Sequence, residues 1–362
     1  MTDHSDFAPD YVQARRRFLQ TAREHGGVIH QYPQSGGGPS GEPLVTDVAL
    51  FGPPNAERVL VLQSGTHGVE GLCGSGCQLG WIRTRAQARP AEVCVLVVHA
   101  INPYGFAWEQ RETAEGVDLN RNFIDHDAPR PANPGYEALA DAFGCPQLEG
   151  PLREQADSVI AAYEAEHGEH GLVAALAMGQ YTHPGGLYFG GHALTEAGQT
   201  FGTIVAEHVA GARRVGVIDL HSGLGPYGEG LIITLDQPGS AELSRVRQWY
   251  GEDVYAPFDD PDSLVPEVRG HLIGASARML AQAEVTAIAL EFGTFSTDND
   301  TRVYRAMRWL MAQERGSVDA KKDAEIRADF RQHFYPEDAT WRRSIWDRAQ
   351  QVIEQALVGL SD

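Results

Sequence analysis

Four cysteines in 362 residues, Cys73, Cys77, Cys94 and Cys145, are too few for a disulfide framework in a chain this long. They read as buried thiols. Cys73 and Cys77 stand i, i+4 in a predicted helix, but no second pair or adjacent histidine completes a metal set around them. Long apolar runs are also missing. No segment reaches the roughly 18 to 20 residues that a membrane-spanning helix needs. The N-terminal stretch is acidic and then amphipathic, with Tyr11, Phe18 and Leu19 among charges and no apolar core of a signal peptide, so a cytoplasmic protein is expected. Positive charge is scarce, 29 Lys and Arg against 49 Asp and Glu, for a formal charge of -20 and a sequence pI near 5.1. Such a surface repels phosphate backbones and anionic lipid, so neither nucleic acid nor membrane is an expected partner. Gly-x-Ser-x-Gly and His-Glu-x-x-His are both absent, which removes the signatures of serine hydrolases and thermolysin-like proteases.

No repeat, low-complexity tract or long Pro/Ser linker marks a boundary, and 42% hydrophobic content suffices for a large core. The expectation is one domain over 1–362, with an N-terminal helix and hairpin (1–57) and C-terminal helices (300–362) packed on it. Gly36-x-Gly38-x-x-Gly41 formally matches a dinucleotide fingerprint, but Pro39 lies inside it and a strand-like run, Leu44 to Phe51, follows where a helix should open. It reads as a turn. Beyond it, apolar runs alternate with helical patterns. Arg58 to Ser64, Glu92 to His99, Arg214 to His221, Gly230 to Leu235 and Val285 to Glu291 read as strands. Near-continuous Val/Ile/Leu runs belong to strands covered on both faces. The fold class is therefore α/β, a three-layer α/β/α sandwich around a central mixed, mostly parallel sheet.

In open α/β sheets, ligands bind beyond the carboxyl ends of the strands, so the polar residues ending these runs matter most. The run ending at Ser64 delivers His67-x-x-Glu70, whose side chains meet on one helical turn and can grip one ion. The run ending at Leu220 delivers Asp219-Leu220-His221, a third ligand next to a carboxylate able to orient it. Two imidazoles and one carboxylate leave a fourth position open, the arrangement of a catalytic Zn2+, one per chain. The last run ends in Glu291, a carboxylate whose pKa burial can raise into the range of a general base. Asp118-Leu-Asn120-Arg121-Asn122-Phe123 offers an amide and a guanidinium fork for a substrate carboxylate, and Arg111 can face an oxyanion.

With these motifs in this order, residues 58 to 295 resemble the zinc metallocarboxypeptidases, including the aspartoacylase and succinylglutamate desuccinylase group. Ser-Gly-Thr-His-Gly-Val-Glu-Gly (64–71) and Gly-Gln-Tyr-Thr-His-Pro-Gly-Gly-Leu-Tyr (179–188) are similar to an uncharacterised bacterial branch described only as a domain of unknown function. The resemblance implies a zinc carboxypeptidase-like fold, His67, Glu70 and His221 as ligands, and Glu291 as base. It also implies Asn120 and Arg121 as carboxylate anchor and Arg111 as oxyanion donor. Tyr181, Tyr227 and Tyr255 are candidates for the tyrosine that closes over substrate in those enzymes. The expected activity is hydrolysis of an amide bond in a small peptide-like substrate with a free carboxylate. Deacylation of an N-acyl amino acid is the alternative within the class, and an idle metal-binding or scaffold protein the alternative outside it.

Overall fold

The computed structural model describes residues 6–259, 268–295 and 300–362; the first five residues of the predicted N-terminal helix lie outside them. Seven strands form one sheet: β1 (Val28–Pro33), β2 (Val45–Phe51), β3 (Arg58–Ser64), β4 (Val93–His99), β5 (Arg214–Gly223), β6 (Gly230–Ile233) and β7 (Glu284–Gly293). Their order is β1-β2-β4-β3-β5-β7-β6. Parallel pairing is confined to the centre, β4 with β3, β3 with β5 and β5 with β7. The flanking strands β1, β2 and β6 join antiparallel. The segment holding Gly36, Gly38 and Gly41 is the turn between β1 and β2, and no helix follows it.

Side-chain alternation along the central strands divides them between two cores. Leu60 and Leu62 of β3, Ile218 and Leu220 of β5, and Ile288 and Leu290 of β7 face one side. They pack against α1 (Tyr11–Glu24), α2 (Gly71–Arg85), α8 (Ala241–Tyr250) and α12 (Ala339–Ser361). Val59 and Val61, Val215 and Val217, and Val285 face the other side. There they meet α7 (Glu196–His208), α9 (Leu272–Met279) and the short α4 (Leu119–Asn122). This parity has a direct consequence for chemistry. Gln63, Asp219, His221 and Glu291 continue the second series, so all four point to the α7 and α9 side at the carboxyl ends of adjacent strands.

A third core, separate from the sheet, joins α5 (Pro134–Phe143), α6 (Pro151–Ala177), α10 (Asp300–Met311) and α11 (Ala320–Phe334). Val69, between His67 and Glu70, is buried in it, so this helical layer rests on the loop that carries them. α6 runs to Ala177 through a kink at Gly168, whose φ of 74° breaks the helical backbone. The remaining α-helix among the described residues is the five-residue α3 (Pro103–Ala107), capped by Asn102. All four cysteines are free and buried. Among the described residues no helix is long and apolar enough to cross a membrane.

Candidate metal centre

His67 and Glu70 stand on the turn between β3 and α2. Backbone bonds from Gly68 N to Arg111 O and Val69 N to Gln110 O fasten that turn to the neighbouring segment and bring Arg111 beside it. The approach is so close that a Cβ at residue 68 would collide with the Gly105 backbone. Gly68→Ala is therefore expected to displace the loop, weakening metal binding and lowering stability by about 1–3 kcal/mol, as a metal titration and a urea melt would register.

Glu70 occupies the N-cap of α2 without capping it, because its carboxylate is turned between two imidazoles. His67 Nδ1 lies 2.9 Å from Oε1 and His221 Nδ1 lies 2.8 Å from Oε2. The ligand-capable atoms of His67, Glu70 and His221 all fall within 4.8 Å of one another, and all three residues are buried. Burial alone would raise the Glu70 carboxyl, but the two imidazoles outweigh it and hold the group below the usual carboxylate range. Each ring has a carboxylate on its far side. His221 Nε2 is 2.8 Å from Asp219 Oδ2, and His67 Nε2 is 3.4 Å from Asp118 Oδ1. Asp219 is itself held by Thr66 Oγ1 at 2.7 Å, and Thr66 by Gln63. Two imidazole nitrogens and a carboxylate converging in a buried site, each imidazole backed by a carboxylate, fit a divalent cation. Asp219→Asn is expected to leave the fold intact and weaken metal affinity about 10- to 100-fold, measurable by competition with a chelating dye.

Glu291 stands directly opposite His221 in the parallel β5–β7 register. Its Oε2 is buried with no hydrogen-bond partner among the described residues. Burial pushes this carboxyl up to about 7, with Glu70 adding to the rise and His221 opposing it. Arg111 is buried, donates from Nε to Asp118 Oδ2 (2.9 Å) and from Nη1 to Tyr304 Oη (2.9 Å), and lies 3.7 Å from Glu70 Oε1. Asn120 and Arg121 are presented by α4, capped by Asp118, whose Oδ1 accepts from Asn120 N. Asn120 Oδ1 accepts from Leu272 N, which sets its Nδ2 3.3 Å from His221 Nε2. Arg121 is more heavily engaged than a free carboxylate anchor would be. Its Nε and Nη2 both donate to Ala177 O, and its Nη1 donates to Asn120 O.

The three candidate tyrosines stand elsewhere. Tyr181 donates to Arg121 O, Tyr227 donates to Asp338 at the surface, and Tyr255 extends the sheet beside Ile233. The tyrosines over the arginines are Tyr188 and Tyr304, neither singled out by sequence reasoning. His271, also missed, lies 6.3 Å from His221 between ring centroids, and its Nδ1 is buried without a hydrogen-bond partner among the described residues. Only Tyr188 had a sequence signal, as the last residue of the 179–188 phrase. His183 pairs with Glu137 at the surface, and Gln180 braces its own loop through His183 and Leu187.

The chain belongs to the family described as "Protein of unknown function (DUF2817)", whose model matches residues 7–348. No curated protein matches it. Among solved structures it is similar to carboxypeptidase A from Helicoverpa armigera, with 13% identity, 90% of this chain and 74% of that one covered, and a TM-score of 0.47. The succinylglutamate desuccinylase from Chromobacterium violaceum overlaps it with 16% identity, 89% and 74% coverage and a TM-score of 0.37. A metallo-carboxypeptidase from Pseudomonas aeruginosa, in complex with (2-guanidinoethylmercapto)succinic acid, does so with 13% identity, 88% and 66% coverage and a TM-score of 0.43.

Proposed function

We propose that the protein is a zinc-dependent hydrolase cleaving an amide bond in a small substrate that bears a free carboxylate. The observation carrying this reading is Glu291 Oε2, buried without a hydrogen-bond partner among the described residues, beside three convergent donor residues. A structural metal site has no use for a fourth residue, a carboxylate with a buried, unpartnered oxygen, next to its three donors. One zinc ion per chain, held by His67, Glu70 and His221, would supply a Lewis acid that polarises a carbonyl and acidifies a water.

Glu291 accepts the proton of the attacking water and returns it to the departing amine, the task to which a carboxyl near 7 is suited. Arg111 keeps its charge throughout, and Asp118 and Tyr304 fix its plane so that the guanidinium can meet the developing oxyanion without reorganising. Arg121 has its Nε edge committed to Ala177 O, but each terminal nitrogen carries a second hydrogen, so a carboxylate is received end-on, with Asn120 Nδ2 beside it. Deacylation of N-acyl amino acids is supported by the tyrosines crowded over Arg111, which favour a compact substrate over a polypeptide.

The test is zinc content by elemental analysis, together with hydrolysis of a panel of blocked dipeptides and N-acyl amino acids. Stoichiometric zinc and turnover of at least one panel member are expected, and the preferred member separates peptidase from deacylase. Failure to take up zinc would overturn the reading.

A further inference from the structure

The segment 177–191, which includes the 179–188 phrase, is wrapped around Arg121. Ala177 O takes two of its N–H groups, at 2.9 and 2.6 Å. Its aliphatic stem lies on Gly179, where an added Cβ would come within 2.6 Å of Cδ. Tyr181 donates to its main-chain oxygen at 2.6 Å. The same segment then reaches Arg111 through one side chain. The ring centroid of Tyr188 is 5.2 Å from Arg121 Cζ and 4.7 Å from Arg111 Cζ. Tyr304, which accepts from Arg111, packs 5.5 Å from Tyr188 between centroids.

Tyr188 holds this place at a conformational cost. Its φ is 51°, a left-handed backbone that bulky residues avoid and that persists only where surrounding structure enforces it. The enforcement is visible in Gln180 N donating to Tyr188 O at 3.2 Å and Gly190 N donating to Gln180 O at 2.8 Å. Two buried guanidiniums repel each other, while an aromatic face attracts both, so one ring touching both fixes their separation.

We propose that Tyr188 is a positioning residue that sets the distance between Arg111 and Arg121, and thereby the number of atoms allowed between the scissile carbonyl and the substrate carboxylate. This rests on the assignment of those arginines to oxyanion and carboxylate made above. The substrate class it names is N-acyl amino acids of one carbon spacing, discriminated from their homologues by length.

The test compares N-acetyl derivatives of an α-amino acid, β-alanine and γ-aminobutyrate in wild type, Tyr188→Phe and Tyr188→Leu, with Tyr188→Met replacing the leucine variant should that fail to fold. In the Leu or Met variant the ratio of kcat/KM between the best substrate and its homologue is expected to fall about fivefold, mainly through KM. That equals roughly 1 kcal/mol, one cation–π contact. Phe, which keeps the ring, should restore the ratio. An unchanged ratio in the Leu or Met variant, or a Phe variant as relaxed as Leu, overturns the proposal. The arginine Nε–H resonances of 15N-labelled protein supply a readout independent of turnover. Signals from Arg111 and Arg121 should move in the Leu or Met variant and stay in Phe. If wild type hydrolyses none of the three compounds, the deacylase reading fails, and the resonances still decide for or against Tyr188.

Discussion

Glu291→Gln is expected to lower the hydrolytic rate about 10²- to 10⁴-fold, the range a positioned general base contributes, while zinc content stays at the wild-type level. The two outcomes separate because Glu291 is none of the three convergent donors; it faces them from the next strand, opposite His221. Glutamine keeps the shape and removes only the ability to take a proton. A companion expectation concerns pH. Only the carboxylate can act as base, and burial raises this group to about 7 in the metal-free protein, so activity should fall as pH drops through 7 or below. A bound cation would move that limb towards acid. The linkage to stability has the opposite sense. A carboxyl whose folded pKa is raised favours the folded state while protonated and loses that contribution as pH rises through about 7. Metal-free Glu291→Gln should therefore melt higher than wild type at pH 8, with the gap closing towards pH 5. A variant as active as wild type, or one that lost zinc with the base, would remove Glu291 from its proposed role.

His221→Ala is expected to abolish zinc retention and, with it, activity. Two donors remain, too few to hold the ion against water. The structural effect is separate and also large. His221 is buried between Glu70 Oε2 and Asp219 Oδ2, and its charged form is strongly favoured: burial opposes it, but the two carboxylates prevail. Removing the ring leaves Asp219 with Thr66 as its hydrogen-bonding partner and, among the described residues, Glu70 Oε2 with the Ser222 N–H. Loss of one partner from a buried ion pair costs about 3–5 kcal/mol. Zinc should then distinguish the two proteins in a thermal melt. At a free concentration 1,000 times its dissociation constant it stabilises wild type by about 4 kcal/mol, and it should leave the variant unmoved. A variant that still bound one equivalent of zinc tightly would show that the donor set lies elsewhere.

The centre of the fold was legible because its strands are covered on both faces and carry near-continuous apolar runs, as in Val93–His99 and Arg214–Gly223. The residues ending those runs could be grouped before any coordinate was known, since parallel strands deliver their carboxyl ends to one edge. The edges of the fold were less clear. α11 hides Ile326, Phe330 and Phe334 among charges at fourfold spacing, a single apolar stripe in a segment of low mean hydropathy. The extension of α6 to Ala177 runs through a glycine with non-helical dihedrals, a boundary by every local rule. Tyr304 and His271 were invisible for another reason. Nothing local distinguishes a tyrosine on an amphipathic helix or a histidine before one, and only tertiary packing brings them beside Arg111 and His221. The heavy use of Arg121 by main-chain carbonyls belongs to the same category, because it depends on where α6 ends.

The order of the central strands also governs when the site comes into being. β3, β5 and β7 are neighbours in space, yet each parallel pairing requires the chain to leave the sheet and cross back. The three convergent donors lie at residues 67, 70 and 221, and the proposed base at 291. As the chain emerges from its N-terminal end during synthesis, all three donors precede β7. The three donors are thus synthesised some seventy residues (291 minus 221) before Glu291, so under the proposed roles ion capture would be able to precede hydrolytic competence.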